Sequence, residues 1–405
     1  MYGGELIATG SDSCVFVPNF PCKRDGKVDD NRVSKIIYSE GAEEDSQYEK
    51  EMNEKIQKIK GYSSWAIIFN QYCKPLPKDI LMEYDRKGMG ECLGNDSYLH
   101  ENFDYNSYMM NGVYGGETME DYFDNMVPNK KMNSNQRDKL FLHIMTMMEP
   151  LFLGLKKMKE NKIVHNDIKQ NNIVVHDGVF KFIDFGLAGT LSDKQHFKQR
   201  SLDELNTARI YLYYPLEYLL FYASRKQLDD ELIGVHDKNK QRYNYEYLDA
   251  IHSMFNLSAL DIYYGTAYQI REKKVNETKM IQGIDVYSLG MLVPLLLIGN
   301  RNIFKDESQI IVDFYNLFGK MIQPLSQNRI SAENAYKEFK SLLNKYKKEI
   351  PKKKKSRMKR VKRRSIGKKK VVKRGKKTVV KRGKKKTVVR RKKKTIRRGN
   401  KNLRA

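Results

Sequence analysis

One segment, residues 163–186, constrains the fold more than any other: IVHNDIKQNNIVVHDGVFKFIDFG. Within it two short apolar runs, NIVV and VFKFID, are separated by His176-Asp177-Gly178. Asp-Gly between apolar runs predicts a β-hairpin, because both residues accept the backbone angles that a tight hairpin turn requires. The polar residues on either side of the two runs are therefore expected to meet at the open end of the hairpin.

The polar residues that meet there suit the transfer of a phosphoryl group. Such a reaction needs a carboxylate beside the attacking hydroxyl, cations around the moving phosphoryl oxygens, and oxygen ligands for Mg²⁺. Asp167 is predicted to face the hydroxyl, and Lys169 to neutralise the γ-phosphate. Asn172 and Asp184 would supply oxygens to the metal from the two sides of the hairpin.

The segment also resembles two motifs of the eukaryotic-type protein kinases, the catalytic loop HRDxKxxN and the metal motif DFG. A lone HxD is typical of any hydrogen-bonded loop, whereas the whole set with a hairpin between its parts is specific. The resemblance implies an α+β, bilobal fold with a small β-rich N-lobe and a larger, mainly helical C-lobe. It also implies ATP with Mg²⁺ or Mn²⁺ as cofactors. The matching residues are His165, Asp167, Lys169, Asn172 and Asp184-Phe185-Gly186.

Further residues extend the resemblance to a nucleotide site. The loop ATGSDSCVF looks like a glycine-rich phosphate cover in which only the central glycine, Gly10, is present, and Val15 would pack on the adenine. Lys35 looks like the strand lysine that holds the α- and β-phosphates, although a lone strand lysine is more often solvated. The resemblance places the adenine edge against backbone groups near Val113 and Tyr114.

The lysine of a kinase pairs with a glutamate on a helix, and the predicted helix at 43–60 carries the candidates. We expect Glu49, because Met52 and Ile56 follow it at helical spacing and place it beside the apolar stripe. Glu51 is the second choice, and the alternative for either glutamate is a solvated helix face.

Three downstream residues resemble structural positions of the family. Tyr-Pro-Leu-Glu at 214–217 resembles the APE motif, and Arg329 resembles the arginine that pairs with its glutamate, here Glu217. Such a buried pair would hold the substrate-binding segment to the C-lobe. Asp285 resembles the aspartate that begins the central helix and braces the catalytic loop.

The chain departs from the family pattern at the residue before Asp167, which is Asn166 instead of an arginine. In the family that arginine receives a phosphate from the activation loop. We therefore hypothesise activity that does not need phosphorylation of the loop hydroxyls. The obvious acceptors in this loop are Ser192, Ser201 and Thr207.

Two insertions also distinguish the chain. The first, at 74–106, is polar and weakly periodic, which predicts a long loop. The second, at about 222–278, is rich in tyrosine, and we interpret it as a packed surface elaboration in preference to a docking surface. With the short N-terminus and the reduced glycine loop, the insertions give the sequence a resemblance to the divergent protein kinases of large DNA viruses.

Charge separates the chain into two parts. The net charge is +27, yet residues 351–405 hold 31 of the 76 Lys/Arg and none of the 49 Asp/Glu, which leaves residues 1–350 at −4. We predict a kinase domain over 1–350, with an N-lobe at about 1–114 and a C-lobe at about 115–350. Residues 351–405 repeat motifs such as KKTVVKRG, which cannot bury a core, and this tail is predicted to be disordered.

The basic tail predicts an anionic partner. We favour nucleic acid bound through its phosphate backbone, because the tail lacks the aromatic side chains that stack on bases. A nuclear-import signal, an acidic protein and a membrane surface are the alternatives.

The cysteines include no CxxC pair, and we expect free thiols in a reducing compartment. No secretory signal opens the chain, and no apolar stretch is long enough to cross a bilayer. We therefore expect no transmembrane segment and an intracellular location, in the cytoplasm, the nucleus, a virion or a viral factory. The oligomeric state stays open. The cysteines are Cys14, Cys22, Cys73 and Cys92.

The favoured function is that of a protein kinase that phosphorylates serine and threonine hydroxyls of proteins. Lys169 supports it, because the tyrosine kinases of the family have other residues at that position. A pseudokinase scaffold with a nucleic-acid-binding tail is the main alternative, although the phosphate-site residues are all present. A small-molecule kinase of the same superfamily is the third. The phosphate-site residues are Lys35, Asp167, Lys169, Asn172 and Asp184.

Overall fold

The computed structural model describes residues 4–10, 12–94, 101–126, 132–207, 209–236, 245–253, 255–299 and 308–349. A β-sheet comes first along the chain and most helices follow it, so the fold is α+β as predicted. The basic tail lies outside the described residues, and its disorder therefore stays a prediction.

The N-terminal sheet is antiparallel and contains β1 (Glu5–Thr9), β2 (Ser13–Val17), β3 (Arg32–Tyr38), β4 (Phe69–Cys73) and β5 (Ser107–Val113). Its strand order is β1-β2-β3-β5-β4. The central strand β3 has a partner on both edges, and every residue after its first is buried. That environment explains the β-branched and apolar sequence RVSKIIY, because such side chains pack well on a covered pleated surface.

Helix α1 (Ala42–Gln57) covers one face of this sheet, close to the predicted helix at 43–60. Ala42 packs there with Ile37 of β3 and Met110 of β5. The helix is amphipathic, and tertiary packing of its apolar face stabilises it more than its intrinsic propensity does. This contact holds α1, which carries Glu49, against β3, which carries Lys35.

The prediction of a long loop at 74–106 is wrong in part, because two helices lie within this range. They are α2 (Lys78–Tyr84) and α3 (Arg86–Leu93), and Leu81 and Met89 bury them against the other face of the sheet. Helices this short contain too few turns to show a periodic stripe in the sequence. Burial against a sheet that is distant in sequence stabilises them instead.

The expectation of free thiols is also wrong, because all four cysteines form disulfides. Cys14 on β2 bonds to Cys92 on α3, and Cys22 bonds to Cys73 on β4. Each pair has a Cα–Cα distance of 5.9 Å, although its members are 78 and 51 residues apart in sequence. Sequence spacing can reveal local pairs such as CxxC, whereas these bonds become visible only when the tertiary structure brings distant cysteines together. The cysteines therefore no longer argue for a reducing compartment.

The rest of the chain is mostly helical, with short strands around the predicted hairpin. The strands are β6 (Ile163–Val164), β7 (Ile173–His176), β8 (Val179–Phe182) and β9 (Gly189–Thr190). The helices are α4 (Met119–Met126), α5 (Ser134–Glu160), α6 (Lys194–Leu205), α7 (Leu216–Phe221), α8 (Arg225–His236), α9 (Tyr245–Ser253), α10 (Ala259–Arg271), α11 (Glu277–Gly299), α12 (Gln309–Met321) and α13 (Ala332–Glu349).

The long helix α5 packs against the hairpin. A capping box begins it, in which the Asn133 side chain accepts from the Gln136 backbone and the Gln136 side chain accepts from the Asn133 backbone. Phe152 in its second half stacks on Phe339 of α13, with ring centroids 3.8 Å apart. These contacts join α5, α13 and the hairpin residue Phe182 in one apolar core.

The tyrosine-rich insertion at about 222–278 contains α8, α9 and α10. Leu228, Leu248 and Tyr263, one from each helix, belong to the same buried cluster as Leu219 of α7. The insertion therefore packs on the helix that follows the substrate-binding segment of the kinase resemblance.

Among the described residues, no helix combines the length and the apolar character that crossing a membrane requires.

Candidate active site

The hairpin forms as predicted and brings the two metal-ligand candidates to its open end. β7 pairs with β8 from Ile173 opposite Phe182 to the Asp-Gly turn. One further backbone bond, from the Ile183 amide to the Asn172 carbonyl at 3.0 Å, continues the ladder. Asn172 and Asp184 therefore lie on opposite sides of the open end.

The carboxylate of Asp167 is the centre of the site. Its Oδ2 accepts hydrogen bonds from Lys169 Nζ at 2.9 Å and from Asn172 Nδ2 at 2.7 Å. Its Oδ1 accepts one from the hydroxyl of Tyr211 at 2.6 Å. The predicted trio is thus assembled on one buried carboxylate, and Tyr211 is a fourth member that sequence reasoning missed.

Asp285 holds the loop that carries Asp167. Its carboxylate accepts the backbone amides of His165 at 2.7 Å and of Asn166 at 2.9 Å, as the resemblance implied. Burial raises the pKa of Asp285 above its ordinary value, and the two amide bonds oppose that rise. Asn166 has a φ of 61°, a left-handed backbone that asparagine adopts more readily than most other non-glycine residues. The two bonds from Asp285 help to hold this turn in place.

Lys35 forms the second charged centre. Its Nζ donates to Glu49 Oε2 at 2.9 Å and to Asp184 Oδ1 at 2.8 Å. The predicted pair with Glu49 is present, while Glu51 is exposed on the same helix. β3 supplies the lysine, α1 the glutamate and the end of the hairpin the aspartate, so three elements meet at this cation.

Burial and mutual attraction shift the pKa values of all three groups. Burial disfavours the charged ammonium, yet Asp184 and Glu49 outweigh it and raise the pKa of Lys35. Burial raises the pKa of Glu49 to about 6, although Lys35 opposes the rise. For Asp184 burial also acts upward, but Lys35 lowers the pKa below its ordinary value. Lys35 and Asp184 are therefore both charged at neutral pH.

The residues present fit a nucleotide with Mg²⁺. Among the described residues no group of three or more His, Cys, Asp or Glu side chains is arranged to hold a metal by itself. Asn172 and Asp184 nevertheless offer side-chain oxygens, and Mg²⁺ is commonly bound by one or two carboxylates together with substrate phosphates. Lys35 provides the cation that phosphate oxygens need beside them.

The candidates for the glycine loop and for adenine contact lie on or beside the N-terminal sheet, and one of them, Val15, is paired with Lys35. Val15 on β2 lies directly opposite Lys35 on β3, and Gly10 lies in the turn that precedes β2, where its amide donates to the Ser13 carbonyl. Val113 ends β5 and is exposed. The Tyr114 amide donates to the Asn31 carbonyl at 2.8 Å, so this amide is engaged within the protein.

Gly115 and Gly116 connect β5 to the hairpin at close range. A Cβ atom on Gly115 would lie 2.7 Å from Val174, and one on Gly116 would lie 2.5 Å from the Val175 carbonyl oxygen. Gly116 also has a φ of +92°, which favours glycine. Glycine at these two positions therefore allows the chain after β5 to pass close over β7.

The predicted pair of Glu217 and Arg329 is present and buried. Arg329 Nη2 lies 3.5 Å from Glu217 Oε2 and also donates to the Pro324 carbonyl. Glu217 accepts from the amide and the hydroxyl of Ser326. The pair anchors α7 to the turn before α13.

The three candidate acceptors of the activation loop differ in exposure. Ser192 and Thr207 are exposed. Ser201 is buried within α6, and its hydroxyl donates to the Tyr218 carbonyl at 2.9 Å. Ser201 is therefore a structural residue and is removed from the acceptor candidates.

A comparison with known protein families agrees with the arrangement of these side chains. Residues 98–212 match the family model of the protein kinase domain. The matched segment contains β5, the catalytic loop, the hairpin and Tyr211, whereas Lys35 and Glu49 precede it. In the structure these two residues nevertheless reach the matched segment, because Lys35 contacts both Glu49 and Asp184.

Two curated relatives are kinases. The "Probable cyclin-dependent kinase 9" of Caenorhabditis elegans is 30% identical over 155 residues, which are 33% of this chain and 32% of that protein. The "Serine/threonine-protein kinase prpf4B" of Dictyostelium discoideum is 47% identical over 47 residues, 11% of this chain and 6% of that protein. The chain thus spans a third or less of the relatives that it matches. The matches support the eukaryotic-type protein kinase superfamily, while the viral resemblance stays a hypothesis.

Proposed function

We propose that the chain is a serine/threonine protein kinase whose catalytic domain spans residues 1–350, with the sheet as N-lobe and the helical part as C-lobe. The observation that carries the proposal is the arrangement of Lys169 and Asn172 on the Asp167 carboxylate, beside the pair of Lys35 and Asp184. The kinase-domain match over 98–212 supports it.

In the proposed reaction each side chain has one task. When bound, ATP with Mg²⁺ supplies the phosphoryl group and part of the charge neutralisation. Lys35, oriented by Glu49, binds the α- and β-phosphates, and Asn172 and Asp184 hold the metal. Asp167 Oδ1 orients the acceptor hydroxyl and takes its proton. Lys169 neutralises charge on the γ-phosphate from the opposite oxygen of that carboxylate.

Protein serine and threonine hydroxyls are the proposed acceptors. Lys169 supports this choice, as does the name of the Dictyostelium relative. The basic tail is proposed to tether the enzyme to the phosphate backbone of nucleic acid.

The test is phosphorylation of a generic serine/threonine substrate such as casein, with Mg²⁺ or Mn²⁺ and labelled ATP. Asp167→Asn should lower the rate about 10²–10⁴-fold, the usual contribution of a positioned general base. Asp177→Asn is the matched control, because Asp177 lies in the hairpin turn with its side chain exposed. It should retain the rate of the unmodified chain.

A different result would favour the alternative function. If the unmodified chain transfers no label with either metal, the pseudokinase scaffold replaces the kinase. If Asp167→Asn and Asp177→Asn behave alike, Asp167 is not the catalytic carboxylate.

A further inference from the structure

The backbone around Asp167 is held at further points besides the amides that Asp285 binds. A peptide unit is planar, so a bond to its carbonyl also orients the amide and the Cα atom at its other end. The Asn166 carbonyl belongs to the unit that leads into Asp167, and it accepts a hydrogen bond from the hydroxyl of Tyr214. The Asp167 carbonyl, in the next unit, accepts one from Asn172 Nδ2 at 2.9 Å. Side chains therefore hold both peptide units that flank Asp167.

The direction of the bond from Tyr214 follows from a second partner of its hydroxyl. Arg200 Nε lies 3.2 Å from the phenolic oxygen, and a guanidinium group can only donate. A carbonyl can only accept, so the one hydroxyl proton points to Asn166. Burial raises the pKa of Tyr214 well above its ordinary value, although Arg200 opposes the rise, and the phenol keeps this proton at neutral pH. We call this chain of bonds, from Arg200 through Tyr214 to the Asn166 carbonyl, the phenol brace.

The helix α6, which carries Arg200, is itself fixed to α7. Arg200 Nη2 lies 2.7 Å from Glu204 Oε1, one turn later on the helix. The neighbouring Ser201 donates to the Tyr218 carbonyl at 2.9 Å, and the Tyr218 hydroxyl donates to the Phe197 carbonyl at 2.8 Å. Hydrogen bonds therefore run in both directions between α6 and α7, and Arg200 extends from an anchored helix.

The phenol brace lies among buried aromatic rings. Tyr214 is only 1% exposed, and its ring packs edge-on against Tyr211 and Tyr218, with centroids 4.6 and 5.0 Å apart. Asn166 is fully buried. In such surroundings a carbonyl that loses its partner pays the full penalty of desolvation, because water does not replace the donor. The hydroxyl of Tyr214 therefore has an effect beyond the packing of its ring.

We propose, on the basis of the proposed kinase function, that Tyr214 is a positioning residue for phosphoryl transfer and that Arg200 acts through it. The Tyr214 hydroxyl orients the peptide unit that leads into Asp167 and so directs the carboxylate toward the acceptor hydroxyl. The chain itself encodes every group of the phenol brace, so the Asp167 loop is held without an added phosphate. The hypothesis of activity without loop phosphorylation, which Asn166 suggested, thereby gains a physical basis.

The experiment measures casein phosphorylation by the full chain with Mg²⁺ over a range of ATP concentrations. Tyr214→Phe keeps the ring and removes only the hydroxyl, so kcat should fall about 10–100-fold, as expected for a buried carbonyl that loses its donor. The KM for ATP should stay unchanged, because Lys35 and Asp184 are not altered. Tyr346→Phe is the matched control, since this buried phenol donates to Asp313 between α13 and α12 at 2.7 Å. It should keep the kcat of the unmodified chain.

Substitutions of Arg200 test whether it acts through Tyr214. Arg200→Met removes the donor and should lower kcat in the unmodified chain, but not further in Tyr214→Phe, because the bond that it supports is already absent there. Arg200→Lys keeps a cationic donor and should retain more of the kcat than Arg200→Met. An equal loss from Arg200→Met with and without the Tyr214 hydroxyl would overturn the role of Arg200.

Two further measurements read the phenol brace directly. Backbone hydrogen exchange over 163–172 should be faster in Tyr214→Phe than in the unmodified chain, whereas exchange in α5 and α13 should be equal in the two, which shows that the fold is kept. Treatment of the unmodified chain with a broad-specificity phosphatase should leave its kcat unchanged. A loss of kcat after this treatment would overturn the inference that the loop is held without a phosphate.

The outcomes separate the role of Tyr214 from the kinase function. Labelled casein with equal kcat values for Tyr214→Phe and the unmodified chain overturns the inference and leaves the kinase function intact. An equal loss in Tyr346→Phe, or faster exchange throughout α5 and α13 in Tyr214→Phe, assigns the effect to general destabilisation and also overturns it. Absence of label from the unmodified chain overturns the kinase function and the role of Tyr214 together.

Discussion

Glu49 is buried on α1 with one carboxylate oxygen on Lys35, while its Oε1 has no hydrogen-bond partner among the described residues. Burying a carboxylate with only part of its hydrogen bonds disfavours its charge, which is why the pKa of Glu49 rises to about 6. The Glu49 carboxylate, whose charge orients Lys35, therefore titrates just below neutral pH.

This predicts a pH dependence that one variant should remove. Between about pH 7 and pH 5 the ionised fraction of Glu49 falls about ten-fold, since its pKa lies near 6. Protonation weakens the contact with Lys35, so the phosphorylation rate at subsaturating ATP should fall with it. Glu49→Gln should be slow and nearly independent of pH over this range.

Glu51→Gln is the control for that profile, because Glu51 is exposed on the same helix and accepts a hydrogen bond from Gln47 one turn earlier. It should show the same fall as the unmodified chain. An unchanged pH profile in Glu49→Gln would show that another group, such as the triphosphate itself, causes the fall.

At the scale of elements, the two disulfides connect the insertion to the sheet. Cys14–Cys92 fastens α3 to β2, and Cys22–Cys73 fastens the segment before β3 to β4. α2 and α3 are short and pack on the sheet through Leu81, Met89 and Leu93, and the covalent bonds are expected to add to the stability of this layer.

Removal of one bond should therefore be measurable. Cys14→Ser with Cys92→Ser should lower the free energy of unfolding by about 2–4 kcal/mol, the typical effect of a disulfide that closes a long loop. Urea unfolding with and without reductant measures it. A variant with serine at all four positions is the control and should not respond to reductant. If reductant leaves the unmodified chain unchanged as well, the disulfides do not form in solution.

At the scale of the whole molecule, a domain of net charge −4 is continued by a tail that carries 31 basic residues. A near-neutral domain has no general attraction for polyanions, so any strong binding to nucleic acid should belong to the tail. Polyanion binding by the tail and the proposed kinase reaction should then be separable.

A chain that ends at residue 350 tests this separation. It should phosphorylate casein as the full chain does, yet lose retention on double-stranded DNA at low salt. For the full chain, raising salt from about 50 to about 200 mM should weaken binding by about 10³-fold or more, because counterion release governs such contacts. A scrambled tail of the same composition should bind equally well. Unchanged retention by the shortened chain would assign DNA binding to the domain.

The sequence by itself determined the elements whose signals are local. The Asp-Gly turn determined the hairpin, and the helical spacing of Met52 and Ile56 determined α1 with Glu49 beside its apolar stripe. The spacing of Asp167, Lys169 and Asn172 likewise placed them on one loop, and their side chains meet there.

Only the tertiary structure decided contacts between residues that are distant in sequence. The disulfides, the burial of α2 and α3 and the burial of Ser201 arise where separate elements pack, and no local pattern encodes such packing. Tyr211 belongs to the same class: the sequence shows a run of tyrosines before Pro215, but not which of them reaches Asp167. Its place depends on how the segment before Pro215 folds back over the loop of Asp167, 44 residues earlier in the chain.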